Sequence, residues 1–305
     1  MDERPPRPPN PTGFYIQDLP GRPILSSDIV IPSRDPRGHH CARTFESWKK
    51  ARASRIGIPS NTYSIKGHGP VACLSNLERQ ILSFLEMNPA VVQIRSQYPE
   101  WDFAKIAERR RNNRDYTMRE TEMLTIDFVV TYQVPGTREL KYHAISCKPY
   151  ADLVLDEVIR RHDKELSFVS LWDCTYEIMT QHSISEIEDR NNQRLLQYML
   201  YTEDVYLYAG NAHALAIALD SLNPDGDYDH VLTWVGHRFD WSRDDAYRYF
   251  GIAHFLGYMT FDHSRELLPE APMFARRPEL LDVDYRDFLP SMNLSRLPGA
   301  NHGHA

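Results

Sequence analysis

Three residues carry the chemistry this sequence could do: Glu78, Asp127 and Lys148. Asp127 is the most informative. It interrupts the run Leu124-Thr-Ile-Asp-Phe-Val-Val130, where a carboxylate would be largely desolvated. Burying an unpaired charge is costly, so such a residue calls for a metal ion, a cation or several donors. Lys148 ends a second run, Leu140–Lys148, and Pro135-Gly136 separates the two. Two strands joined by a turn make a hairpin, and alternate residues of a strand share a face. Ser146 and Lys148 therefore point the same way and can lie beside Asp127. Carboxylates that hold Mg²⁺, with a lysine to orient or activate water, are the core of metal-dependent phosphodiester hydrolysis. Each residue also has a plainer reading. Ser75-x-x-Glu78 ahead of an apolar run is a capping box. An Asp in a strand can be an edge residue, and Lys148 before Pro149 can be an exposed strand end.

The elements that must position these residues follow from periodicity. Residues 75–89 read as a helix: Leu77, Ile81 and Leu85 recur at i, i+4 and i+8, and Pro89 closes it. Val91–Tyr98 is a short strand, Leu124–Gln133 a strand, and Leu140–Lys148 its returning partner. Residues 152–165 read as an amphipathic helix and Phe168–Trp172 as a further strand. This order describes a small mixed α/β sheet. From about Ser183 the pattern turns helical, clearest over 187–201 and 242–257, with Ser242 at an N-cap position. Gly257–His263 follows like a short strand, so helices plus a small hairpin fit a winged-helix-like module.

Composition adds a division of labour. The chain has 305 residues and a formal net charge of −7. Residues 1–150 carry 22 Lys and Arg against 16 Asp and Glu, whereas residues 151–305 carry 13 against 26. A basic half beside an acidic half fits one DNA-facing part and one protein-facing part. Two basic clusters lie in the first half. Arg43, Lys49, Lys50, Arg52, Arg55 and Lys66 belong to one, and Arg109, Arg110, Arg111 and Arg114 to the other. Both are expected to contact phosphates. Nine of the 21 prolines fall in residues 1–36, which predicts an extended or disordered arm. The four cysteines, Cys41, Cys73, Cys147 and Cys174, have no zinc-site spacing and are expected to be reduced. No His-Glu-x-x-His, phosphate-binding glycine loop or Gly-x-Ser-x-Gly elbow is present. A zinc hydrolase, a P-loop ATPase and an α/β-hydrolase are thus poorly supported. No apolar run approaches membrane-helix length, and the first residues lack the apolar core of a secretory signal. The expectation is a cytoplasmic protein with no membrane partner.

The blocks Leu74–Glu86, Asn88–Pro99, Leu124–Val130 and Ala144–Pro149 carry a resemblance. In this order and at comparable spacing, they resemble the TnsA-type endonuclease subunit of heteromeric transposases. The resemblance implies an α/β fold: a restriction-endonuclease-like mixed-sheet nuclease domain followed by a helical winged-helix-like C-terminal domain. The resemblance spans roughly residues 60–180; with composition and periodicity it divides the chain into an arm (1–36), a catalytic domain (37–182), a helical domain (183–271) and an irregular tail (272–305). Glu78 and Asp127 would be the metal carboxylates, Lys148 the catalytic lysine, and the backbone carbonyl of Cys147 a further metal ligand. The cofactor would be Mg²⁺, with Mn²⁺ able to substitute. The implied activity is cleavage at the 5′ ends of a transposon. The implied partners are double-stranded transposon-end DNA, a DDE-type transposase subunit and a AAA+ ATPase regulator. The setting would be the bacterial cytosol, associated with the nucleoid when active. Two positions depart from the family pattern. Ser146 stands where Gln is usual, and Ile159 precedes Arg160-Arg161 where Glu is frequent. Two alternatives follow: a catalytically weakened nuclease fold kept as an assembly module joining transposase, ATPase and DNA, and a stand-alone restriction-type nuclease.

Overall fold

The main sheet is built from four strands, β3 to β6, and β1 and β2 pair as a separate two-stranded hairpin that packs against it. In the computed structural model, residues 5–19, 30–51, 58–100, 103–117, 123–135, 137–202, 204–222, 226–260 and 262–273 are described. In chain order the elements are β1 (Ser60–Ser64), β2 (Gly69–Cys73), α1 (Asn76–Met87), β3 (Val91–Glu100), α2 (Phe103–Asn112), β4 (Leu124–Gln133), β5 (Leu140–Cys147), α3 (Asp156–Val169) and β6 (Cys174–Met179). Four further helices follow: α4 (Glu186–Tyr198), α5 (Ala209–Leu222), α6 (Tyr228–Arg238) and α7 (Arg243–Phe255). β3, β4 and β5 pair antiparallel, and β6 adds parallel to β5 after the α3 crossover. The expected mixed α/β sheet is present.

α1 forms where its apolar stripe and its cap agree. Ile81, Leu82 and Leu85 are buried against Phe128, Val130 and Ile145 of the sheet. The Ser75 hydroxyl accepts from the Glu78 backbone N–H at 3.2 Å and caps the helix. The back of α1 meets α4 through Ser83, whose hydroxyl donates to Asp189 at 2.7 Å, and through Gln80, which donates to the Ile184 carbonyl at 3.0 Å.

One residue interrupts the regularity of β3. Gln97 has φ +49°, in the left-handed region that side chains other than Gly, Asn and Asp rarely adopt. It inserts no extra residue, because Ser96–Phe128 and Tyr98–Ile126 keep the same register on either side. It does reverse the alternation of side chains. Arg95 and Tyr98 would face opposite ways in a regular strand, yet both reach Asp35.

Four expectations need correction. Within the Pro-rich stretch residues 5–19 are not a free arm, and residues 1–4 and 20–29 lie outside the described residues. Phe14, Ile16 and Leu19 are buried in the sheet core, and the Phe14 ring stacks on Tyr132 at 5.0 Å. The Thr12 hydroxyl donates to the Tyr176 carbonyl at 3.2 Å. These apolar residues join α1 on the same sheet face, so residues 5–19 belong to the α/β part. Phe168–Trp172 is not a strand: α3 runs to Val169 and a 3-10 turn covers Ser170–Trp172. Its Val and Trp continue the helix stripe inward, and Asp173 (φ +60°) ends it. Gly257–His263 does not form a strand among the described residues. Gly257 (φ +75°) makes a left-handed helix cap, its N–H donating to the His254 carbonyl at 3.0 Å. Asn191 then holds the returning chain, donating to the Arg265 carbonyl and accepting from the Leu267 N–H, each at 2.7 Å. Among the described residues after Ser183 there is accordingly no hairpin. Lys66, expected on the DNA-facing surface, is buried, for a reason given below. α5 and α6 fall within the helical stretch expected from about Ser183, whereas the β1–β2 hairpin and α2 have no counterpart in the sequence pattern. The proposed tail begins with Pro272, which pairs with Asp227, and beyond Met273 it lies outside the described residues.

Candidate active site

The site lies at the end of the sheet where β3 finishes and β4 begins. β4 and β5 pair regularly as far as Phe128–Ile145 and then part. Asp127 fills the gap. Its Oδ2 accepts the Cys147 N–H at 2.8 Å, so a side chain replaces the backbone acceptor the ladder no longer offers. The Lys148 Nζ stands 3.8 Å from the same oxygen. Parallel pairing with β6 keeps the end of β5 in place, the Lys148 N–H donating to the Met179 carbonyl at 3.0 Å.

Glu78 arrives from the first turn of α1. Its Oε2 accepts from the Leu74 N–H at 2.9 Å and from the Gln97 Nε2 at 3.1 Å, and its Oε1 accepts from the Ser75 hydroxyl at 3.1 Å. The capping box and the site reading are thus both true of this residue. Burial, and next the negative charge of Asp127, push its carboxyl up to about 7 despite those donors. Two carboxylates facing one another in a desolvated place repel, and each disfavours the other's charged form.

Cations ring the pair. Lys49 is half-buried, and burial followed by the charge of Arg161 lowers its pKa while Asp127 and Glu78 oppose that shift. Arg161 on α3 donates to the Thr125 carbonyl at 2.9 Å and pairs with buried Glu165 at 2.7 Å. Glu165 also accepts from the Tyr176 hydroxyl at 3.0 Å. His162 is held near 4 by burial and then by the positive charges of Lys148 and Arg161. The Ser146 hydroxyl is buried close to the Tyr176 hydroxyl and makes no hydrogen bond of ordinary geometry.

The structure therefore brings Glu78, Asp127, Ser146, Cys147 and Lys148 together. Cys147 contributes backbone here; its thiol is in the apolar core and burial pushes it well above the ordinary range. Of the basic residues, Lys49 faces the site. Arg43 is exposed, Lys50 pairs with Glu46 at 3.6 Å, and Arg52 and Arg55 lie outside the described residues. Lys66 points inward. Its Nζ donates to the Asn88 carbonyl at 2.6 Å and the Leu85 carbonyl at 3.4 Å, and sits over the Phe255 ring. It serves the open C-terminal carbonyls of α1, not a phosphate. Arg110, Arg111 and Arg114 are exposed on and just after α2, which leaves from the end of β3 nearest the site, and Arg109 donates to the Tyr116 hydroxyl.

Gln97, Arg161, Glu165 and Tyr176 were not singled out as site residues. The Arg161–Glu165 spacing of four on an amphipathic helix was a visible signal. Gln97 left none, because a left-handed residue inside a strand has no sequence signature when it is not glycine.

Among the described residues no three His, Cys, Asp or Glu side chains converge on a common point. A divalent ion here would rest on two carboxylates plus backbone and solvent oxygens, a donor set that suits Mg²⁺. All four cysteines are free thiols. Among the described residues no helix is long and apolar enough to cross a membrane. No protein-family model matches the chain, and no curated protein matches it in sequence.

Proposed function

We propose that the protein is a divalent-metal-dependent DNA endonuclease of the TnsA type, with a restriction-endonuclease-like catalytic part. On this reading it cuts the 5′ ends of a transposon alongside a DDE-type transposase subunit and a AAA+ ATPase regulator. The observation that carries the reading is the meeting of Glu78, Asp127 and Lys148 at the point where β4 and β5 part. The pair fits a hard cation, because a divalent ion would offset the repulsion from Asp127 that, after burial, lifts Glu78. Glu78, Asp127 and the Cys147 carbonyl would hold Mg²⁺, or Mn²⁺ in its place. When bound, the ion supplies an activated water and neutralises charge building on the phosphate.

The chain's own residues do the rest. Lys148, held against Asp127, orients the attacking water or takes part in its proton transfer. Arg161 and Lys49 keep the mouth of the site positive toward a phosphodiester. Arg110, Arg111 and Arg114 supply sequence-independent phosphate contacts. The winged-helix part of the reading rests on the resemblance alone. In the helical part α4 to α7 supply helices, and wing strands are not among the described residues.

Reconstitution with the neighbouring transposase subunit on end-labelled DNA tests the reading. Asp127→Ala and Glu78→Ala are expected to abolish 5′-end nicking and leave assembly intact. Normal cutting by Asp127→Ala in the full complex would sink the assignment. A second reading, a nuclease fold retained for assembly, draws on the short, buried Ser146 at a position where a longer amide is usual. It predicts no binding of Mn²⁺ at millimolar concentration. A stand-alone nuclease predicts cutting without partners.

A further inference from the structure

We propose that Gln97 is the positioning residue that aims Glu78 at Asp127; this rests on the metal-nuclease reading above. Gln97 stands in β3 at the register position opposite Asp127, between the Ser96–Phe128 and Tyr98–Ile126 pairs. It is buried, and its φ of +49° turns it out of the side-chain alternation that Arg95 sets. Its amide then bridges two elements. Nε2 donates to Glu78 Oε2 at 3.1 Å, and Oε1 accepts from the Thr125 hydroxyl at 3.4 Å. Thr125 is two residues before Asp127 on the same strand, and its carbonyl takes the Arg161 guanidinium. The backbone of Gln97 is tied separately, its carbonyl accepting the Trp48 N–H at 3.2 Å, next to Lys49.

Each feature has a consequence for Glu78. A carboxylate at the start of a helix can turn about its side-chain bonds. Leu74 and Ser75 restrain it from its own helix, and Gln97 is the restraint that comes from the sheet carrying Asp127. Strained, buried, non-glycine residues persist when the surroundings over-determine them, and they gather at functional sites. A left-handed glutamine here is used to reach α1 from a strand whose regular geometry would send the side chain elsewhere.

Two substitutions separate positioning from folding. Gln97→Gly keeps the backbone, because glycine takes positive φ without strain, and removes the amide. Gln97→Asn keeps an amide on a residue that tolerates this conformation, one methylene too short to reach Glu78. The full chain is titrated with Mn²⁺ by calorimetry, alongside a melting curve. Both variants are expected to keep a cooperative melting transition and to bind Mn²⁺ about 10–100-fold more weakly, the usual effect of losing a partner that orients a metal ligand. Asp127→Ala is the reference for complete loss. If either folded variant keeps the parent affinity, Gln97 has a structural role only and the proposal is overturned. If Asp127→Ala also keeps it, or the parent binds no Mn²⁺, the metal-nuclease reading fails and takes this proposal with it.

Discussion

The sheet part and the helical part of this chain bury different things. Around the sheet Glu78, Arg95, Gln97, Asp127, His143, Ser146, Glu165 and Glu177 are all inside. The core of α4 to α7 is mostly hydrocarbon and aromatic ring, built on Leu195, Leu215, Leu232, Val235 and Phe250. Buried polarity is costly and is kept where it is paired or used. Within the sheet part the two cases can be told apart. Arg95 sits against Asp35, and His143 shares a hydrogen bond with Glu177 at 2.9 Å; these networks fasten the segments around Asp35 and Ile16 to the sheet. Glu78 instead faces the like charge of Asp127, while Lys148 stands on the Asp127 side. A mismatch, more than burial itself, is what marks the site.

The contrast is broken most sharply at Asp127. Asp127→Asn keeps an acceptor for the Cys147 N–H and removes the charge. Single-turnover nicking in the reconstituted complex is expected to fall by at least about 10³-fold with melting little changed. The opposite result is expected of Phe250→Ala in the helical core. Chemical denaturation should show a loss of about 3–5 kcal/mol, with the chemistry of the protein that remains folded unaltered. A third experiment probes the seam. Burial lowers Lys66 from 10.5 to about 7, so between those values the unfolded chain binds the proton more tightly than the folded one. Stability should therefore rise with pH from about 7 to 10.5, by at most about 1.4 kcal/mol per pH unit. Lys66→Met should flatten that rise in urea titrations at several pH values. The smallest effect belongs to the surface. Arg110→Ala is expected to weaken DNA binding a few-fold whatever the sequence, and to reduce the slope of log affinity against log salt by about 1.

Much of the sheet part was legible because its signals are local. Leu124–Gln133 alternates with β-branched and aromatic residues and forms a strand over that span, while Ser75 and Pro89 bracket α1. Asp127 stood out because a carboxylate contradicts its neighbours. What escaped notice depends on partners distant in sequence. α5 lies in the stretch expected to be helical, but it is Ala-rich and apolar on most sides, so its bounds show no period to read. The β1–β2 hairpin has few β-formers and depends on Glu86, whose carboxylate accepts from the Ser64 hydroxyl and the Ile65 and Lys66 N–H groups. Lys66 looked like a surface cation because its acceptors are about twenty residues away. Gln97 is the clearest case, since nothing in its type announces a left-handed turn inside a strand.

α1 has a consequence for anyone who would cut the chain in two. It offers Glu78 near its start and Glu86 eight residues later, about 12 Å along one rigid rod. One side of that rod is the floor of the sheet core, and the other is the wall against which α4 rests. A severance at residue 183 would strip the wall and leave Ser83 and Arg79 without Asp189. The sheet part and the helical part, so unlike in what they bury, are therefore joined along a helix that neither can give up.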